Sequence, residues 1–149
     1  MNRLEKFLLF PLLIGIMVFG ACSNNVWDEV PTPITSFIEQ YYPGSGVSQF
    51  VQDDSGYRVQ INNGATLVFD SDYSWVSVDG NGVRLPEALI YNQLPPALFN
   101  YLQGIEQQRG VFKMSRDASF YKLTMEDTVI TYDIATGKIT YPDGTTRES

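Results

Sequence analysis

The stretch Tyr57-Arg58-Val59-Gln60-Ile61 decides the fold, because Tyr121-Lys122-Leu123-Thr124-Met125 repeats its grammar 64 residues later. Both read aromatic, basic, apolar, polar, apolar. Side chains of a strand alternate between its two faces. Tyr57, Val59 and Ile61 therefore share one face, and Arg58 and Gln60 share the other. The offset holds upstream, where Pro31 matches Pro95, Ile34 Leu98, Phe37 Tyr101, Ile38 Leu102 and Tyr41 Ile105. Downstream, Glu126-Asp127 is one residue shorter than Asn62-Asn63-Gly64, and Phe69-Asp70 matches Tyr132-Asp133 at an offset of 63. A fixed period of this kind signals an internal duplication.

Each copy opens with a short amphipathic helix. Ile34, Phe37, Ile38 and Tyr41 fall at i, i+3, i+4 and i+7, with Thr32 as the expected cap, Pro33 at the first helical position and Pro43-Gly44 as the stop. Leu98, Tyr101, Leu102 and Ile105 follow Pro95-Pro96 in the same pattern, with Glu106 to Arg109 a candidate extension. Four short strands follow each helix. The first set lies near 47–51, 57–61, 66–69 and 75–78, the second near 111–116, 120–125, 129–132 and 139–141, with Gly, Asn, Asp and Ser in the turns. Pro86 to Ile90 reads as one extra helical turn. The expected organisation is a signal peptide at 1–21, a tether at 22–29, repeat 1 at 30–79, a connector at 80–94, repeat 2 at 95–141 and a frayed polar tail at 142–149. The fold class is α+β. Its two tandem repeats, each a helix and a four-stranded antiparallel meander, form one sheet. Tyr57, Val59, Ile61, Leu67, Phe69, Tyr121, Leu123, Met125, Ile130 and Tyr132 make that sheet apolar on one side, which the helices must cover. The other side carries Arg58, Gln60, Val68, Lys122, Thr124 and Thr131 and should be solvated.

The front of the chain reads as an address. Arg3 and Lys6 precede an uncharged run from Phe7 to Ala21. That run is shorter than the roughly 20 residues a spanning helix needs, and it ends at Gly20-Ala21-Cys22, as an export signal does. Small residues before a cysteine resemble a lipobox, with Phe19 where Leu or Val is usual. Cys22 is the single cysteine of the chain, so lipidation at Cys22 is the expectation. Acyl chains contribute ~0.8 kcal/mol per buried CH₂. Ser23 rather than Asp follows the cysteine, which by resemblance to enterobacterial sorting favours the outer membrane of a Gram-negative envelope. Loss of 1–21 would remove Arg3, Lys6 and Glu5 and leave the chain one unit more negative.

Composition narrows the function. The 149 residues include no histidine, one cysteine and a net charge of −7. No imidazole base or ligand exists, and no disulfide or cysteine zinc site can form within the chain. The negative balance argues against nucleic acid as a partner. The isolated glutamates Glu39, Glu87 and Glu106 show no pairing for glycosidase chemistry, and no nucleophile elbow or phosphate loop appears. No catalytic residue and no cofactor is expected. Asp70-Ser71-Asp72-Tyr73-Ser74 has oxygen ligands at alternate positions, as calcium loops begin. It lacks the following Gly and the distant Glu, so turn chemistry is its simpler reading and calcium or small-ligand binding the alternative.

Val30-Pro31 to Ile38, Tyr42-Pro43-Gly44, Gly56-Tyr57-Arg58-Val59 and Phe69-Asp70 with Trp75 together resemble the PepSY-like, β-lactamase-inhibitor-protein-like lipoproteins. The resemblance covers about residues 28–141. Tyr73 stands where that family tends to have Gly, and Ile139 where the second Trp would fall. The resemblance implies helices on one face of a continuous sheet and an open face used for binding. The expected function is accordingly non-enzymatic capture of an envelope or secreted protein, inhibitory or not, by a lipid-anchored chain. A structural subunit of an envelope assembly is the other reading. Arg58, Gln60, Lys122 and Thr124 are the expected partner-binding residues, with Trp75 as a possible anchor at the rim, since Arg, Trp and Tyr dominate interface energetics.

Overall fold

The computed structural model describes residues 26–149. The signal peptide and Cys22 lie outside the described residues. Helices α1 (Val26–Glu29) and α2 (Thr32–Tyr41) lead into strands β1 (Val47–Asp53), β2 (Gly56–Ile61), β3 (Thr66–Asp70) and β4 (Trp75–Asp79). Helices α3 (Glu87–Gln93) and α4 (Pro96–Gly104) follow. The chain ends in β5 (Val111–Arg116), β6 (Phe120–Met125), β7 (Val129–Asp133), β8 (Lys138–Thr140) and β9 (Thr146–Glu148). The nine strands form one antiparallel sheet in sequence order. The fold is α+β, with an open sheet whose edges are β1 and β9.

One face of this sheet is dry. Val59, Ile61, Leu67, Phe69, Val78, Val111, Met114, Leu123, Ile130 and Ile139 are buried with Ile34 and Ile38 of α2, Leu89 and Ile90 of α3 and Leu98 and Leu102 of α4, in one cluster. Each such side chain contributes about 1.5–3 kcal/mol by leaving water. The sequence pattern placed the apolar strand positions on this side, and all of them face it. Tyr57 and Tyr121 are only half-buried there. The ladders of β1–β2 and β5–β6 each carry a bulge, between Val47 and Gln49 and between Val111 and Lys113, at positions 64 residues apart.

The helix starts differ from expectation. Thr32 is the first helical residue, not the cap; Pro31 caps α2, and Pro86 and Pro95 cap α3 and α4, all three without a side-chain cap bond. Proline's fixed φ suits this extended entry, and its carbonyl still opens the helical ladder. The Pro31 carbonyl accepts the amides of Ile34 and Thr35, and the Pro86 carbonyl those of Leu89 and Ile90. α4 does not extend through Glu106 to Arg109. It stops at Gly104, and Glu106 turns into the left-handed region at φ 59°. Ile105 is consequently exposed, not packed like Tyr41. Pro86 to Ile90 belongs to a longer helix that runs on to Gln93.

Two boundaries are corrected. The tether expected at 22–29 contains α1, whose Trp27 packs against the core and whose carbonyl accepts the Val30 amide. The tail expected at 142–149 contains β9, paired with β8 from Lys138–Glu148 to Thr140–Thr146. Tyr141-Pro142-Asp143-Gly144-Thr145 makes that hairpin. The Asp143 carboxylate accepts the Thr145 amide and hydroxyl, and Gly144 takes φ 87°. Pro, Asp and Gly each supply a property this turn needs.

Candidate binding face

The four hairpin turns at one end of the sheet share one device. In each, an aspartate Oδ1 accepts two backbone amides. Asp53 takes Ser55 and Gly56, Asp70 takes Asp72 and Ser74, Asp117 takes Ser119 and Phe120, and Asp133 takes Ala135 and Thr136. These are Asx turns. The hydroxyl and amide of Ser55, with the amide of Gly56, hold the Asp53 carboxyl below its ordinary pKa, and the amides of Ser119 and Phe120 do the same for Asp117. The loop read as a possible calcium start thus spends one Asp70 oxygen on its own backbone. Among the described residues no three acidic or cysteine groups cluster as a metal would require.

These turns hold the strands in a register that draws two straight rows across the solvated face. The first runs Val51, Arg58, Val68, Ser77, Ser115, Lys122, Thr131, Thr140, Thr146, each residue paired with the next across all nine strands. The second runs Gln49, Gln60, Thr66, Asp79, Lys113, Thr124, Val129. Arg58 and Lys122 therefore share a row, four strand spacings or about 19 Å apart, and Gln60 and Thr124 share its neighbour. Between the two cations lie only Val68, Ser77 and Ser115. Lys113 and Asp79 pair at 4.0 Å in the second row. Among the described residues neither Arg58 nor Lys122 has an ion-pair partner.

Lys122 stands between two shallow depressions. One of about 250 Å³ is lined by Ser115, Arg116, Asp117, Phe120 and Thr131, and one of about 320 Å³ by Val129, Thr131, Thr140 and Pro142. Phe120 is 41% exposed. It lies two residues before Lys122, on the same face, yet it carries no positive mark in the sequence beyond that spacing. Val51, at the far end of the Arg58 row, is also exposed. The face thus has an apolar residue beside each unpaired cation.

Trp75 is not among them. It is 3% exposed and lies on the covered side. A bulge after Val68 pairs it with Phe69 and turns its ring inward. Its Nε1 donates to Gln93 Oε1 at 3.0 Å, and Arg116 covers its ring. Tyr73, the other aromatic of that turn, is 39% exposed and stacks on Tyr57 at 5.2 Å. Tyr101 is pushed up to about 12, chiefly by burial and then by its hydrogen bond to Tyr141, so its phenol is neutral and offers no base.

The chain is matched by a family model described as "Putative beta-lactamase-inhibitor-like, PepSY-like", over residues 26–77 and 57–140. The chain belongs to that family. Solved structures with the same fold include a "putative periplasmic protein" of the DUF2874 family from Bacteroides vulgatus ATCC 8482. It is 20% identical, with a TM-score of 0.63 over 82% of this chain and 91% of that one. A second, from Bacteroides thetaiotaomicron, is described as a "putative calcium-regulated periplasmic protein". It is 24% identical, with a TM-score of 0.60 over 73% of this chain and 87% of that one. A third, again from B. vulgatus, is described as a "putative periplasmic protein of unknown function", with 20% identity and a TM-score of 0.63 over 78% of this chain and 96% of that one. No curated protein matches the chain. Among the described residues of this PepSY-like chain, no helix is long and apolar enough to cross a membrane.

Proposed function

We propose that this PepSY-like chain is a non-enzymatic protein of the bacterial envelope that captures a protein partner through the open face of its sheet. The observation that carries the reading is the single row holding Arg58 and Lys122, two cations without an ion-pair partner among the described residues, on a chain of net charge −7. Such a face selects a partner with two acidic groups about 19 Å apart and apolar groups for Phe120 and Val51. Gln60 and Thr124 add hydrogen bonds from the neighbouring row. The family's likeness to an inhibitor and the periplasmic descriptions of its structural neighbours support the same reading. Lipidation at Cys22 and residence at the outer membrane belong to the proposal, carried by the sequence before Cys22. So does an origin by tandem duplication, supported by matching bulges 64 residues apart.

The test is a pull-down from the native envelope fraction with identification of the captured protein. Arg58→Glu with Lys122→Glu is expected to lose that protein while leaving the melting temperature unchanged. Retention of the same partner by the double variant would contradict the reading. The calcium alternative has less support, because Asp70 already serves two amides. Millimolar calcium is expected to leave the melting temperature in place; a rise would favour the calcium reading, since a site filled in the folded state alone stabilises it.

A further inference from the structure

β4 and β5 are paired only over Ser77–Ser115, Val78–Met114 and Asp79–Lys113. Beyond this seam, Trp75 and Val76 face Arg116 and Asp117 across a cleft of about 400 Å³, also lined by Asp70, Ala118 and Tyr121. Arg116 is half-buried and bridges the gap. Its Nε donates to the Trp75 carbonyl at 2.8 Å, and its guanidinium carbon lies 4.0 Å from the centre of the Trp75 ring. Trp75 is itself fixed through Gln93, whose Nε2 donates to the Tyr41 hydroxyl at 2.7 Å. The guanidinium is therefore held rigidly by one nitrogen and one face. Among the described residues its two Nη groups have no protein acceptor and no ion-pair partner. The two carboxylates lining the cleft, Asp70 and Asp117, cap their own turns.

We propose that this cleft binds a carboxylate carried on an apolar body, with both oxygens side by side on the Nη edge of Arg116. A planar guanidinium presents a fork that matches a carboxylate and that a point charge does not. Tyr121, Val76 and Ala118 supply the apolar wall for the body. Asp70 and Asp117 set the selectivity: a dianion meets two like charges and is disfavoured, while a monoanionic carboxylate meets them at half the repulsion. Arg116 and Asp117 also border the depression beside Lys122, but neither Arg58 nor Lys122 lines this cleft, so their reversal separates the two readings.

The experiment titrates the ¹⁵N-labelled full chain, in non-ionic detergent, with N-acetylphenylalanine, its primary amide and inorganic phosphate. The signals followed are the Trp75 indole N–H and the Arg116 Nε–H, with Trp27→Phe assigning the two indoles. N-acetylphenylalanine is expected to shift both signals saturably, the amide to bind at least tenfold more weakly, and phosphate to bind more weakly than the carboxylate. Arg116→Gln is expected to lose the carboxylate response, and Arg58→Glu with Lys122→Glu to keep it. Equal binding of acid and amide, phosphate binding as tight as the carboxylate, or no shift with any probe would each overturn the proposal. These wild-type comparisons decide it even where Arg116→Gln fails to fold.

Discussion

Tyr73 is a large residue in a backbone conformation that favours glycine, at φ 66°. The left-handed region costs a side-chain-bearing residue roughly 1–2 kcal/mol, and the stack on Tyr57 returns about 0.5–1.5 kcal/mol. Tyr73→Gly should therefore change stability by no more than about 1.5 kcal/mol in the native sequence. In a Tyr57→Ala background, where no stack remains, the same change should stabilise, and denaturant melts of the four combinations check this. Phe69 is 1% exposed and packs edge-on against Phe37 at 5.3 Å. Phe69→Ala should cost roughly 3–5 kcal/mol, whereas reversing Arg58 and Lys122 should leave the melting temperature unchanged. The capping aspartates act through pH. Asp53, Asp117 and Asp143 are held below their ordinary value of 3.8 by hydrogen bonds to the carboxylate form. Their contribution is complete above the unfolded pKa and is lost as pH falls through the folded one. Stability should fall on acidification below pH about 4, and Asn at all three positions, which keeps the accepting oxygen, should flatten that limb in urea melts.

Period and turn chemistry made eight of the nine strands readable, because alternation over five residues has one meaning when a face must be buried. The ninth strand was hidden by its composition: Thr146-Arg147-Glu148 has no apolar member, and only the Pro-Asp-Gly turn before it marks the reversal. Gly144 is the handle on that turn. It sits at φ 87° with open space where a Cβ would stand, so Gly144→Ala should cost only the backbone term, about 1 kcal/mol, with loss of exchange protection confined to β8 and β9. Helix α1 was equally hidden, since four residues carry no periodicity and Trp27 alone ties them to the core. The cap of α2 was misplaced by one residue because Thr32 has the chemistry of a cap while Pro31 has the geometry.

At the scale of the molecule, parity decided which face is wet, and the sequence placed Arg58, Gln60, Lys122 and Thr124 there. The bulge after Val68 broke that parity for Trp75. Because a bulge adds one unpaired residue and flips the side chains beyond it, no count along the strand could have shown that the indole turns inward. Phe120 was passed over for the opposite reason, an apolar residue on a face expected to be polar. The central claim is that the partner sits on this face and not on the helices. The most direct measurement is photocrosslinking in living cells with benzoylphenylalanine at Gln60 or Thr131, on the open face, and at the exposed Tyr91 of α3. One discrete adduct from both sheet positions and none from Tyr91 is the predicted result. An adduct from Tyr91 with neither sheet position labelled would contradict it.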